Sequence, residues 1–301
     1  WTKTVKYVDF QKVQFAQTKK HFWPIIRLFV PMIALSIYHF MDKTMLDLLS
    51  TEAEVGYYYA ADKIIYIPLG LITAIGTVML PRISSIVGES KEKTEKLLSK
   101  STELSICMSC AVGFGIAAIA RVFVPLFFGE GYEKCVNLLV LFVPVLFVKA
   151  LSNVVNQQYL IPAKCDNQYT LAVTGGAIVN LICNGLLIPQ LGSVGATLGT
   201  LMAELSVLII SAHCAKKEIR FFWMFSRYSY YLLLGLIMFI AVRFFDSYTH
   251  IEQSFIRLIL MIMIGGGVYS LLCLTVWLKV KEKSVFGSIL ISLSKKGAIR
   301  K

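Results

Sequence analysis

Apolar runs of about 20 residues or more, separated by short polar segments, dominate the chain. The hydrocarbon core of a bilayer takes about 20 predominantly apolar residues per helix. That ruler marks about eight spans, at residues 22–46, 55–83, 104–127, 135–162, 168–189, 193–214, 228–246 and 254–278. The period-2 alternation of a membrane barrel is absent, so the spans read as helices. Pro31, Pro68, Pro144 and the run Gly265, Gly266, Gly267 fall inside them; neighbouring helices in a bundle re-satisfy the backbone groups that such residues free. The expected fold is an all-α polytopic membrane protein. Composition agrees, with 56% hydrophobic and 16% charged residues and a mean hydropathy of +0.68, whereas soluble domains are about 45–50% apolar and about 25% charged.

The polar segments carry the topology signal. With the N-terminus inside, the inner segments hold Lys3, Lys6, Lys12, Lys19 and Lys20, then Lys91, Lys93, Lys96 and Lys100, then Lys164, then Lys216, Lys217, Arg220 and Arg227, and finally the basic tail from Lys279 to Lys301, while the outer loops hold only Lys134. Positive charge concentrates on the cytoplasmic side of membrane proteins, so both ends of the chain are expected in the cytoplasm. The net charge of +12 is thereby a topology signal, and no basic patch on a soluble surface points to nucleic acid. The connector GESKEKTEKLLSKSTELS, with Glu89 before Lys93 and Glu92 before Lys96 at helical spacing, predicts a short helix at the cytoplasmic face or a solvated charged linker. The opening stretch begins at Trp1 and is too polar for a signal peptide; the chain reads as the later part of a longer protein.

Residue chemistry excludes several function classes. Cys107 and Cys110 form a CxxC inside an apolar span, without a second pair or nearby histidines, which reads as buried thiols. The four histidines, His21, His39, His213 and His250, are scattered. No phosphate loop, nucleophile motif or metal-ligand spacing stands out, so neither an enzyme, a metal site nor a cofactor is expected.

Charges inside the spans are where function is sought, because an ionisable group there costs at least about 2.5–3.5 kcal/mol on insertion scales. Arg27 and Arg82, and likewise Arg121, Arg243 and Arg257, lie close enough to span ends to snorkel. Asp42, Lys43, Asp62, Lys63, Lys149 and Glu204 remain. Spans one and two are joined by a short turn near Thr51, so Lys43 and Asp62 differ in depth by only about 6 Å and can pair across the hairpin. Asp62 and Lys63 point about 100° apart on their helix and do not pair with each other. Tyr59 and Tyr66, four residues before and three after Lys63, predict phenol rings above and below its ammonium. Lys149 and Glu204 sit near the middle of their spans and can neutralise one another. Asn153, Asn156, Gln157 and Gln158 on the fourth span, with Asn180 and Asn184 on the fifth, either glue helices together or line a polar cavity. The charge pairs likewise read as structural bridges or as walls of a substrate site.

The stretches MDKTMLDLLSTEAEVGYYYAADKIIYIPLGLITAIGTVMLPRIS (41–84), NVVNQQYLIPAKCDN (153–167) and NLICNGLLIPQLGSVGATLGTLMAE (180–204) resemble the later half of polysaccharide-transport (O-antigen, capsule or teichoic-type) flippases. These belong to the multidrug/oligosaccharidyl-lipid/polysaccharide (MOP) exporter superfamily, alongside lipid II flippases and MATE transporters. The resemblance implies two six-helix lobes around a central cavity. It makes residues 1–21 an inter-lobe loop, 22–214 the second six-helix lobe, 215–227 a cytoplasmic loop, 228–278 two additional helices and 279–301 a basic cytoplasmic tail. It also implies a missing N-terminal lobe as partner, without which the chain is expected to transport nothing. Asp62 and Lys63 fall on the acid-base dipeptide that lines the cavity in the lipid II flippase group; Lys63 stands where that group has Arg, which keeps a point charge but loses a bidentate fork.

The implied function is a flippase moving polyprenyl-pyrophosphate-linked oligosaccharide across the bacterial cytoplasmic membrane by alternating access. Lys63, Lys43 and Lys149, with Tyr59 and Tyr66, are the expected substrate-binding residues. Asp62, Asp42 and Glu204 are expected to hold the lysines and to take a coupling H⁺ or Na⁺. The alternatives are a MATE-like H⁺- or Na⁺-coupled antiporter of organic cations and a non-transporting membrane scaffold.

Overall fold

A computed structural model describes residues 40–249 and 254–280 of the chain, with scattered positions between 22 and 36. The expected inter-lobe loop, most of the first span, the basic tail beyond Val280, and His21, His39 and His250 lie outside the described residues. The described residues fold as helices: α1 over residues 40–49, α2 Glu52–Ser84, α3 Lys91–Phe128, α4 Lys134–Val155, α5 Asp166–Leu191, α6 Ser193–Ala215, α7 Phe221–Tyr228, α8 Tyr230–Tyr248 and α9 Phe255–Val280. Seven described segments are long and apolar enough to cross a membrane, the short α7 running with α8 in one of them. They coincide with the second to eighth expected spans. Large apolar side chains on their outer faces, Leu71, Ile178, Leu186 and Phe244 among them, are exposed, as a lipid-facing surface requires.

Two elements differ from the sequence expectation. The connector at 88–105 is no separate helix at a membrane surface: from Lys91 it continues without a break into the next span, giving α3 its 38 residues. At 1.5 Å per residue α3 is about 57 Å long, far beyond the ~30 Å hydrocarbon core. No Pro or Gly interrupts residues 91–112, and the first turns have a surface to pack on, with Leu98 buried. Ser99 and Tyr228 hydroxyls lie 2.9 Å apart, and Glu95 accepts from the backbone N–H and guanidinium of Arg220. Residues 215–227 contain α7, whose Phe221, Met224 and Tyr228 are buried while Phe222 and Trp223 are exposed.

Helix ends show why the chain turns where it does. Thr51 caps α2 by accepting from the Glu54 N–H, and Ser90 caps α3 by accepting from the Lys93 N–H. Gly129 ends α3 at a φ of 81°, a left-handed conformation that glycine adopts without steric cost. Gly192, at φ 57° between α5 and α6, also lets the Glu54 carboxylate approach where a Cβ would collide. Glu54 there accepts from the Ser193 N–H at 2.8 Å and from Lys134, binding α2, α4 and the start of α6 together. An anion at a helix N-terminus satisfies otherwise orphaned N–H groups.

The bundle places α2 against α3, α4 and α6, α5 against α6, and the α8–α9 pair against α3. The α5–α6 crossing is built on small residues: Gly195 packs on the Leu187 carbonyl and Gly199 on the Asn184 amide, and a methyl group at either would collide. One end of the bundle carries Lys91, Lys164, Lys216 and Arg220; the α1–α2 turn at Ser50 and the loops at 129–133 and 192 form the opposite end. Two apolar cores result, one around Leu138, Phe142 and Leu146 of α4, the other around Leu98 and Ile106 of α3 with Tyr231 of α8. All seven cysteines are free, and Cys107 and Cys110 are buried among apolar neighbours.

Candidate functional site

Charged residues of α1, α2, α4 and α6 converge on one region of the bundle. Lys43 of α1 pairs with Asp62 of α2 at 3.1 Å, each side chain about one-quarter exposed, and Lys149 of α4 pairs with Glu204 of α6 at 3.3 Å. Both pairings follow from the depth argument: the short α1–α2 turn makes antiparallel neighbours, and the mid-span positions of α4 and α6 face each other.

Asp42 is the most deeply placed of these acids, only 5% exposed. Its carboxylate accepts from the Asn180 and Asn184 amides at 2.8 and 2.6 Å, from the Thr200 hydroxyl at 2.8 Å and from the Tyr58 hydroxyl at 3.0 Å. These donors are all neutral, and among the described residues no cation pairs with it. Asn180 and Asn184 lie one turn apart on α5, while Thr200 sits on α6 where the glycine crossing brings the two helices close. Asn184 Oδ1 is buried without a hydrogen-bond partner. Tyr58 and Thr200 were not legible as site residues; an uncharged hydroxyl in an apolar run carries no signal until its helix is placed beside a carboxylate.

Lys63 is exposed and, among the described residues, makes no ion pair, hydrogen bond or ring contact. It lines a cavity of about 430 Å³ with Asp42, Lys43, Asp62, Tyr66 and Lys149. The expectation that Tyr59 and Tyr66 flank its ammonium is not met. Tyr59 instead lies under the Lys43 ammonium, 4.3 Å from the ring centroid. Tyr59 and Asp62 are three residues apart on one face of α2, so a cation reaching over from α1 meets carboxylate and ring together. Tyr66 lines the Lys63 cavity and also a second one of about 280 Å³, and the two cavities share Tyr66, Leu69 and Lys149.

Two further buried acids had no assigned role in the sequence. Glu103 of α3 is fully buried and accepts from the Tyr231 hydroxyl at 3.1 Å, which itself accepts from the Trp277 indole at 2.8 Å. It stands at the edge of an apolar run, within the charged connector sequence; the length of α3 is what carries it inside. Asp246 of α8 is paired with Arg243 at 2.8 Å and Arg257 at 2.6 Å. Those two arginines therefore do not simply snorkel, because a carboxylate on the same side of the α8–α9 pair holds both.

No group of His, Cys, Asp and Glu side chains suited to a metal ion occurs among the described residues. In the Asp42 cluster the groups turned toward the carboxylate are amide N–H and hydroxyl O–H donors, which hold it by hydrogen bonds alone.

Comparisons with known proteins place these observations. The profile of the family "Lipid II flippase MurJ" matches residues 3–264. A putative O-antigen transporter of Escherichia coli is 25% identical over 177 residues, covering 59% of this chain and 43% of the relative. A probable low-salt glycan biosynthesis flippase, Agl15, of Haloferax volcanii is 22% identical over 241 residues, covering 79% of this chain and 50% of the relative. The chain thus spans about half the length of the curated relatives it matches. Among solved structures, lipid II flippase MurJ in an inward closed conformation superposes with a TM-score of 0.72 at 16% identity, over 92% of this chain and 59% of that one. An outward-facing MATE family transporter of the MOP superfamily superposes with a TM-score of 0.53 at 20% identity, over 81% of this chain and 62% of that one. These structural likenesses describe the fold. With the profile match extending over most of its length, the chain belongs to the lipid II flippase MurJ family.

Proposed function

We propose that the chain serves a flippase that moves a polyprenyl-pyrophosphate-linked oligosaccharide from the inner to the outer leaflet of the bacterial cytoplasmic membrane, by alternating access. Lys63 is the cation that receives the pyrophosphate. The observation that carries this reading is its isolation: the neighbouring Lys43 and Lys149 have carboxylate partners, while Lys63 lines the cavity with no carboxylate partner among the described residues. A lone ammonium in a half-enclosed site is held there at a cost, and an anionic ligand supplies the missing counter-charge. The bundle end rich in lysine faces the cytoplasm, in line with the distribution of basic residues.

Asp42 supplies a basis for coupling. Counting Asp42, Lys43, Asp62, Lys63, Lys149 and Glu204, the site is neutral while Asp42 is ionised. When Asp42 takes H⁺ or Na⁺, the site gains one positive charge and its attraction for a pyrophosphate rises. The amides of Asn180 and Asn184, reoriented, and the Thr200 hydroxyl supply oxygens for the cation. Ion and lipid then bind with positive, reciprocal coupling.

The test is translocation of a fluorescent polyprenyl-pyrophosphate glycan by the full-length protein in proteoliposomes, beside efflux of an organic cation such as ethidium. Glycan movement without cation efflux is the expected result. Cation efflux without glycan movement would replace this reading with a MATE-like antiporter, and neither activity would leave a scaffold.

A further inference from the structure

We propose that the π-turn closing α4 is a hinge: in a second state of the transporter it reverts to α-helical pairing, which turns the stretch from Gln158 to Lys164 about the axis of α4 and gives buried side-chain oxygens the donors they lack in the state described. This rests on the reading that the protein alternates between two states. At Val155 the helix passes into a π-turn over Asn156–Leu160, closed by the Ile161 N–H on the Asn156 carbonyl at 3.1 Å. Such a turn holds one residue more than the α-helical pattern takes up, and single turns of this kind recur at functional sites. Moving or expelling that residue rotates everything beyond it by about 100°. The chain is fixed on either side of the turn. Before it, Asn153 seats against Gly76 of α2, where a methyl group would collide with its amide oxygen. After it, Lys164 takes a left-handed conformation at φ 57°, with the Cys165 N–H on the Leu160 carbonyl at 2.8 Å; glycine is the usual residue at such a helix stop, and a lysine holds it at a cost.

Between those two points the side chains are poorly satisfied. Asn156 Oδ1 and Gln158 Oε1 make no hydrogen bond, and neither does Ser152 Oγ one turn earlier. Gln158 is fully buried, and its amide N–H reaches only Asn153 Oδ1, at 3.5 Å. These are three of the six such atoms among the described residues, and they fall between positions 152 and 158. Buried groups without partners are few in folded proteins and unfavourable where they occur. They lie behind the cavity wall, so relief comes from the protein's own groups, and the segment packs against α2, α5 and α6. A change of register turns Gln158 toward a different one of these neighbours. Oxygens left unmet raise the free energy of the described state and narrow its gap to the alternative, which is what a two-state element requires. Gln157, the next residue back, lines the smaller cavity, so the same rotation reshapes a wall of the site.

The experiment compares the full-length protein with its Gln158→Met variant, which keeps the length of the side chain and removes the unmet oxygen. Melting temperature, hydrogen exchange in nanodiscs and translocation of a fluorescent polyprenyl-pyrophosphate glycan in proteoliposomes are measured on both. The variant is expected to melt several degrees higher, because no buried oxygen is left without a donor at that position. In wild type the amides of residues 156–161 should exchange faster than those of the preceding turns at 150–155, and in the variant they should become as protected as those turns. Translocation should slow by about tenfold, the scale on which one unmet buried group shifts a two-state balance. A lowered melting temperature, exchange at 156–161 in wild type no faster than at 150–155, or stabilisation with unchanged translocation would overturn the hinge. Failure of the flippase reading has a different signature: wild type then moves no glycan, while melting and exchange still respond to Gln158→Met.

Discussion

Asp42 accepts four neutral hydrogen bonds in a site that is almost closed to solvent, so two replacements should separate structure from coupling. Asp42→Leu strands the buried Asn180 amide, which has no other acceptor among the described residues, while Asn184, Thr200 and Tyr58 keep Asn180 Oδ1, the Ala196 carbonyl and Thr200 Oγ1; at about 1–3 kcal/mol for a buried group so stranded, the variant should melt at a clearly lower temperature in detergent. Asp42→Asn keeps the shape and most of the partners. It should fold with a lowered melting temperature and bind the lipid-linked substrate with an affinity no longer raised by Na⁺ or by lower pH; a Na⁺ or pH dependence equal to wild type would remove Asp42 from coupling. The Lys149–Glu204 pair invites a double-mutant cycle by thermal unfolding. Losing one partner of a buried ion pair strands the other at about 3–5 kcal/mol, whereas losing both is often nearly neutral. Lys149→Met should therefore destabilise strongly and Lys149→Met with Glu204→Met much less. At this scale the sequence identified the charges and both pairings, because depth along a helix is a matter of counting residues. It did not identify the Tyr59–Lys43 contact or the Tyr58 and Thr200 hydroxyls, since those depend on which faces of α1, α2 and α6 turn toward one another.

The elements were legible wherever hydrophobicity alone decides. Seven spans predicted from apolar length coincide with described helices. The errors lie where apolar length is silent. Lysines and glutamates ahead of α3 are good helix formers, and what makes them one helix with the span is packing of Leu98 and Glu95 against α7 and Arg220. The α5–α6 crossing offers an element-scale test. Gly199→Val inserts a branched side chain against the Asn184 amide and should separate the helices and displace Asn184 from Asp42. Size-exclusion thermostability should show a large loss, and a Gly176→Val variant, which meets the Ala203 carbonyl and Val207 in the same crossing, should behave alike. Wild-type stability in both variants would mean that the crossing is looser than described.

At the scale of the whole molecule, the proposed orientation follows from where the basic residues lie. With the lysine-rich end in the cytoplasm, Ser50 in the α1–α2 turn faces outward. In a protein whose native thiols have been replaced, Ser50→Cys should react with an impermeant maleimide added to intact cells; reaction only after access to the cytoplasmic side would invert the topology. The central claim is that Lys63 clamps the anionic head of a lipid-linked glycan. The most direct measurement is glycan export by the full-length protein in cells carrying Lys63→Ala or Lys63→Arg at wild-type protein levels. The account predicts that export is abolished by Lys63→Ala and largely retained by Lys63→Arg, because either cation can meet a pyrophosphate. Normal export by Lys63→Ala would contradict it.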